Sequence, residues 1–214
     1  MPVDVKICGL SDPKTVTAAA EAGAAFFGFV FFRRSPRFVS PGLAGTLVRL
    51  VPRTARSVGL FVDPRDKEIG AALDAASLNM LQLHGKETPE RVAEIRRRFG
   101  LPVIKALGVS TYRDITAAGA FDKSADWLLF DAKPPPEATR PGGNAKAFDW
   151  ALLKSYTGSQ PWLLAGGLTR ANVAAAIGAS GARAVDVSSG VETRPGVKSA
   201  AKIRAFINAA GTAA

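Results

Sequence analysis

The stretch Val3-Asp4-Val5-Lys6-Ile7-Cys8-Gly9-Leu10-Ser11-Asp12-Pro13 contains the unit from which the rest of the chain is built. Residues 3–8 alternate apolar and polar side chains, the period of a strand with two unlike faces. Gly9 and Leu10 break that alternation. Ser11-Asp12-Pro13 then pairs a capping side chain with an early proline, which predicts a helix over residues 13–22. The same order of strand, short turn and helix repeats to the C-terminus. Further strands are predicted at residues 25–31, 57–62, 79–84, 102–106, 127–131, 161–165 and 183–188. Further helices are predicted at 41–51, 66–76, 89–99, 112–118, 149–156, 170–179 and 199–209. Ser40-Pro41 and Thr88-Pro89 repeat the helix-start signal, and Gly23, Gly100 and Gly181 fall where helices end.

Eight such units predict an α/β fold, a parallel sheet closed into a single (β/α)₈ TIM barrel. The competing architecture, an open doubly wound sheet, usually has fewer strands and carries a glycine-rich fingerprint after its first strand. That fingerprint is missing here. No linker divides the 214 residues, so one domain over 1–214 is expected.

Composition narrows the function. The net charge is +10, from 28 Lys and Arg against 18 Asp and Glu. Such a field suits either nucleic acid or small anionic metabolites. The basic clusters are Arg33-Arg34-Ser35-Pro36-Arg37 and Arg96-Arg97-Arg98, and neither is interleaved with several aromatics. The second lies on an amphipathic helical pattern, where a solvated face explains it. No nucleic-acid partner is expected. Cys8 is the one cysteine, which rules out an intrachain disulfide and a four-cysteine zinc site. There is no run of ~18 apolar residues to span a membrane, and the N-terminus lacks the pattern of a signal peptide. A cytoplasmic protein is the expectation.

Strand parity points to the site. Asp4, Lys6 and Cys8 share one face of strand 1, opposite Val3, Val5 and Ile7. Gln82 and His84 oppose Leu81 and Leu83, Asp131 opposes Leu128 and Phe130, and Asp186 and Ser188 oppose Val185 and Val187. The apolar sets face the helices, so the polar sets are expected inside the barrel. Cys8, His84, Asp131 and Ser188 all fall at C-terminal strand ends, where barrel active sites form. Gly166-Gly167 after strand 7 and Ser188-Ser189-Gly190 after strand 8 occupy the two loops that recurrently bind phosphate in barrels. Arg37, after strand 2, offers a planar fork to a substrate carboxylate. The long Pro/Gly-rich connection over residues 132–146 is read as an active-site loop, mobile until ligand binds.

Several stretches taken in order resemble the phosphoribosylanthranilate isomerases of tryptophan biosynthesis. They are Lys6-Ile7-Cys8-Gly9-Leu10, Gly28-Phe29-Val30-Phe31 with Ser35-Pro36-Arg37, Val58-Gly59-Leu60-Phe61-Val62 and Gln82-Leu83-His84-Gly85. They continue through Asp131, Gly142-Gly143, Phe148-Asp149-Trp150, Ala165-Gly166-Gly167-Leu168 with Asn172-Val173, and Asp186-Val187-Ser188-Ser189-Gly190-Val191-Glu192. One departure is that Gly142-Gly143 is followed by Asn144-Ala145, where the family commonly has Thr or Ser and then Gly. The resemblance implies an Amadori rearrangement, an aldose–ketose isomerisation and hence an intramolecular oxidoreduction, with no metal and no organic cofactor. It makes Cys8 similar to the family's general base and Asp131 to its general acid. Arg37, His84, Gly166, Gly167, Asp186, Ser188, Ser189 and Gly190 are then expected to bind a small substrate carrying phosphate and carboxylate. The analogous isomerase of histidine biosynthesis generally has an aspartate at the strand-1 position, so Cys8 argues against that activity. A monomer and a homodimer both remain open.

If the positive field steers a doubly anionic substrate, raising ionic strength lowers kcat/KM more than kcat, because screening acts on encounter. Steady-state kinetics over a salt series check this, and a flat kcat/KM rules steering out.

Overall fold

The computed structural model describes residues 3–134, 142–143 and 147–212. Eight parallel strands form a closed barrel in sequence order: β1 Asp4–Cys8, β2 Phe26–Val30, β3 Arg56–Phe61, β4 Met80–Leu83, β5 Val103–Val109, β6 Trp127–Ala132, β7 Trp162–Leu164 and β8 Ala184–Val187. Pairing of β8 with β1 closes it, with Lys6 opposite Asp186. The helices are α1 Pro13–Glu21, α2 Pro41–Val48, α3 Asp66–Ala75, α4 Pro89–Phe99, α5 Tyr112–Thr116, α6 Val173–Ser180 and α7 Ala200–Gly211. None of them is long and apolar enough to cross a membrane.

The helix starts follow the sequence signals. Asp12 accepts from the N–H groups of Lys14 and Thr15, Ser40 from Leu43 and Thr88 from Arg91. Gly100 and Gly181 end α4 and α6 in the left-handed conformation. Three departures are local. Residues 149–156 form a 3₁₀ turn over Trp150–Ser155, opened by the Asp149 carboxylate on Ala151 N–H. α5 gives way to a 3₁₀ turn at Ala117–Phe121. Finally, α6 starts at Val173, because Asn172 is used to close the preceding loop, accepting from Thr169 N–H and donating to the Gly167 carbonyl. A small hairpin of β9 Glu192–Arg194 and β10 Val197–Lys198 follows β8, which strand periodicity did not announce.

Val5, Ile7, Phe27, Phe29, Leu81, Leu83, Leu128, Phe130, Val185 and Val187 pack in the layer between barrel and helices. The opposite parity lines the interior, as expected, but charge does not fill it. The far end is plugged by Phe26, Val58, Met80, Ile104, Leu129 and Leu163, and Cys8, Val30 and Leu60 cluster nearer the mouth. Lys6 and Gln82, both fully buried, supply interior polarity.

One buried charge lies outside the barrel wall. Lys105 is on β5 with helix-facing parity and bonds the Glu87 carboxylate at 2.6 Å, with both side chains almost completely buried. Glu87 also accepts from the N–H groups of Asp63 and Gly85, tying together the loops after β3 and β4. Removing one partner strands a buried charge, which typically costs about 3–5 kcal/mol. Glu87→Ala is therefore expected to lose stability on that order in denaturant unfolding, and a paired Lys105→Met change should restore much of it. A loss under about 1 kcal/mol would place the pair among solvated ion pairs.

Candidate active site

Two clefts that share a wall open at the C-terminal end of the barrel. One, of about 410 Å³, is lined by Asp131, Gly166, Gly167, Asp186, Ser188 and Ser189, among others. The second, of about 470 Å³, is lined by Cys8, Val30, Phe32, Arg37, Leu60, Val62 and His84. Asp131, Gly142, Gly143, Asp186 and Ser188 line both. The first is walled by glycine loops and polar groups, the second largely by apolar side chains. Nine of the ten expected site residues are thus brought together.

Gly190 is the tenth and does not line either cleft. A side chain there would meet the Leu168 carbonyl oxygen at 2.0 Å, so its smallness lets the loops after β7 and β8 touch. Gly166 and Gly167 both have positive φ, 88° and 64°, a sharp turn that other residues adopt only with strain. Among the described residues no cluster of three or more His, Cys, Asp or Glu is suited to a metal ion.

Cys8 ends β1 and is buried. Lys6, two residues earlier on the same face, bonds Asp186 at 2.8 Å. Gly28 on β2 leaves the room these groups occupy, since a Cβ there would lie 3.2 Å from both Cys8 Sγ and Lys6 Nζ. Burial pushes the Cys8 thiol above its ordinary range, outweighing the pull of Lys6 and of Lys198, while Asp186 pushes the same way as burial. For Lys6, burial is the largest influence and opposes the charge, yet Asp186 and Cys8 together raise it. The ammonium therefore stays charged.

Asp131 near the end of β6 directs its carboxylate at two partners. Oδ1 accepts from Ala132 N–H at 2.8 Å, and Oδ2 lies 3.3 Å from His84 Nε2. Gln82 Nε2 sits 3.0 Å from His84 Nδ1, the ring nitrogen turned away from Asp131. Gln82 Oε1 is buried without a hydrogen-bond partner among the described residues. Gly142 covers this corner, where a Cβ would lie 2.7 Å from Asp131 Oδ2 and 2.8 Å from the His84 ring. The rest of the long connection, residues 135–141 and 144–146, lies outside the described residues, and with it the loop expectation and the Asn144-Ala145 departure.

Arg37 is more constrained than a free surface fork. Its Nε and Nη2 edge is engaged by Glu192 at 2.7 and 2.9 Å, and the arginine is only 4% exposed. Gly143 lies over the other edge, where a Cβ would come within 2.6 Å of Nη1. Lys198 Nζ also bonds Glu192, at 2.8 Å, and donates to the Ser188 carbonyl at 2.9 Å and hydroxyl at 3.1 Å. Ser188 in turn donates to the Cys8 carbonyl. Burial pulls Lys198 down to about 8 against the opposing pull of Glu192. Glu192 and Lys198 were not singled out by strand periodicity, because both sit on the hairpin beyond β8. Glu192 surfaced only as the last residue of a resembling stretch.

A family model described as N-(5'-phosphoribosyl)anthranilate (PRA) isomerase matches residues 5–209. An N-(5'-phosphoribosyl)anthranilate isomerase of Paramagnetospirillum magneticum is 55% identical, over 98% of each chain. The crystal structure of phosphoribosyl anthranilate isomerase from Thermotoga maritima superposes with a TM-score of 0.87 at 38% identity, covering 97% of this chain and 98% of that one. A crystal structure of such an isomerase in complex with reduced 1-(o-carboxyphenylamino)-1-deoxyribulose 5-phosphate gives 0.84 at 36% identity, with the same coverage.

The raised Cys8 thiol is directly observable. Its thiolate absorbance, followed as pH rises, should have a midpoint above that of a free thiol at ~8.5. Lys6→Met removes the favourable cation and leaves Asp186 unpaired, so it should move the midpoint further up. A midpoint at or below the free-thiol value would show that water reaches the sulfur.

Proposed function

The chain belongs to the N-(5'-phosphoribosyl)anthranilate isomerase family, and on that premise we propose that it catalyses the Amadori rearrangement of N-(5'-phosphoribosyl)anthranilate to 1-(2-carboxyphenylamino)-1-deoxyribulose 5-phosphate in tryptophan biosynthesis. This is an aldose–ketose isomerisation, an intramolecular oxidoreduction that lowers the oxidation level of sugar C1 and raises that of C2. One observation carries the reading. Cys8 and Asp131 line one cleft with Arg37 and apolar side chains, and Asp131, Asp186 and Ser188 also line the adjoining cleft walled by glycine loops. A substrate with phosphate at one end and carboxyphenyl at the other fits that polarity.

In this reading, backbone N–H groups around Gly167 and Ser189 take the phosphate, in the loops barrels commonly use for it. The aromatic ring lies among Val30, Phe32, Leu60 and Val62, with its carboxylate toward Arg37. Asp186 and His84 border the sugar. Asp131 donates a proton to the furanose ring oxygen, the C1–O bond breaks, and the anthranilate nitrogen lone pair forms the iminium. Ala132 N–H on Oδ1 and His84 Nε2 beside Oδ2 fix the orientation of the Asp131 carboxyl group. Cys8, as thiolate, then removes the C2 proton, and the electron pair of that bond forms the enolamine. Tautomerisation, with a proton added at C1 and one lost from the C2 hydroxyl, gives the ketone.

A thiolate whose conjugate acid is weak is scarce at neutral pH but strongly basic, and Lys6 stabilises it once formed. Asp131 must carry its proton when substrate is bound. The Gly142 backbone covers its carboxyl group, where a Cβ would lie 2.7 Å from Oδ2.

Positioned proton transfer typically contributes 10²-fold or more. Cys8→Ser, Cys8→Ala and Asp131→Asn are therefore each expected to lower kcat by roughly that factor, with the fold and binding of a product analogue retained. A fluorescence assay for consumption of phosphoribosylanthranilate, with the histidine-pathway substrate alongside, checks both the activity and its specificity. Near-wild-type turnover by Cys8→Ser with chemistry limiting would remove the thiol as base, and the same result for Asp131→Asn would remove the carboxyl as acid.

A further inference from the structure

Arg37 belongs to a buried group of three charges whose sum is not zero. Arg37, Glu192 and Lys198 are 4%, 8% and 7% exposed. Two of them are cations and one is an anion, so the group carries an excess positive charge. Both Glu192 oxygens are engaged: Oε1 accepts from Arg37 Nε and Lys198 Nζ, and Oε2 from Arg37 Nη2. Burial opposes ionisation of Glu192, but Arg37 and Lys198 outweigh it and hold the carboxyl below its usual range. The hairpin that carries Glu192 and Lys198 is docked against the Arg37 loop. Gly196 at its turn lies so close to the Pro36 carbonyl that a Cβ would come within 2.3 Å of the oxygen. The arginine stem lies on Gly9, where a Cβ would meet Cδ at 2.6 Å.

A guanidinium has two edges and one plane. With the Nε/Nη2 edge taken by Glu192, what remains for a ligand is the Nη1 side, which borders the cleft beside Gly143. We propose that Glu192 is a positioning residue for substrate specificity, turning Arg37 so that its remaining edge meets the substrate carboxylate, with Lys198 supplying the charge that makes an anionic ligand the balancing partner. This rests on the reading that the carboxyphenyl group lies at the Arg37 end. Lys198 also donates to Ser188, so the group that orients Arg37 is tied to the loop proposed for phosphate. The two anions of one substrate are thereby held at a fixed separation.

The test compares two stable ligands by calorimetry: reduced 1-(2-carboxyphenylamino)-1-deoxyribulose 5-phosphate and the anilino compound lacking its carboxyl group. Glu192→Gln is expected to weaken binding of the carboxylated ligand by roughly tenfold or more, the scale of a hydrogen bond to a charged group. Its affinity for the anilino ligand should stay within about twofold. A purely structural role would lower both affinities equally, and that result, like loss of neither, overturns the proposal. Arg37→Ala separates this from the underlying reading. If it fails to discriminate the two ligands, the carboxylate does not lie at Arg37. If it discriminates and Glu192→Gln does not, only the role of Glu192 falls. Should Glu192→Gln not fold, Glu192→Asp keeps the charge but withdraws it by one methylene, and it must show the same selective loss in smaller measure. An unselective loss there overturns the proposal as well.

Discussion

A lysine ammonium cannot sit inside a barrel without an anion, and the pairing of Lys6 with Asp186 is the constraint on which the mouth depends. The two residues are opposite one another in the register that joins β1 to β8 and closes the barrel. Shifting that register by one residue would turn Lys6 toward the helices and strand the carboxylate inside. Two residues beyond Lys6 comes Cys8, and two residues beyond Asp186 comes Ser188. The ion pair therefore sets the depth of the thiol and of the loop after β8 together. Gly28 fits the same constraint from β2, since the space it leaves is occupied on one side by the sulfur and on the other by the ammonium.

Much of this was legible in the sequence because the information is local. Alternation over residues 3–8 separates two faces of a strand, and Asp12, Ser40 and Thr88 mark helix starts through bonds spanning three residues or fewer. What could not be read is where faces are alike. On β2, β3, β5, β6 and β7 both parities are mostly apolar, so the plug of Phe26, Val58, Met80, Ile104, Leu129 and Leu163 leaves no periodic trace. Expecting a polar interior from β1, β4 and β8, with Asp131 on β6, therefore overstated its polarity. The late start of α6 had a different cause, since Asn172 reads as an ordinary helix residue until its amide is seen closing the Gly167 turn.

Long-range charge pairing was the other blind spot. Arg37 and Glu192 are 155 residues apart, and nothing local distinguishes Arg37 from the neighbouring Arg33 and Arg34. Lys105 looks like an interruption of an apolar strand until Glu87 is found beneath the loop after β4. In both cases a buried cation is intelligible only through a carboxylate delivered by another part of the fold. The glycines that allow close approach show the same limit, for Gly142 and Gly143 can be called turn residues from sequence, whereas their need to clear Asp131, His84 and Arg37 is a property of the assembled mouth.

The distribution of charge in the cleft bears directly on the roles proposed for Cys8 and Asp131. Lys6 alone would pull the Cys8 thiol down, but Asp186 offsets it from the other side, and burial then dominates. The excess positive charge lies instead with Arg37 and Lys198, toward the wall that the substrate's carboxylate is proposed to meet. In the proposed function the carboxylate of the substrate balances that excess on binding. Lys6, paired with Asp186 and two residues from the sulfur, is then the charge placed to support the thiolate proposed as base.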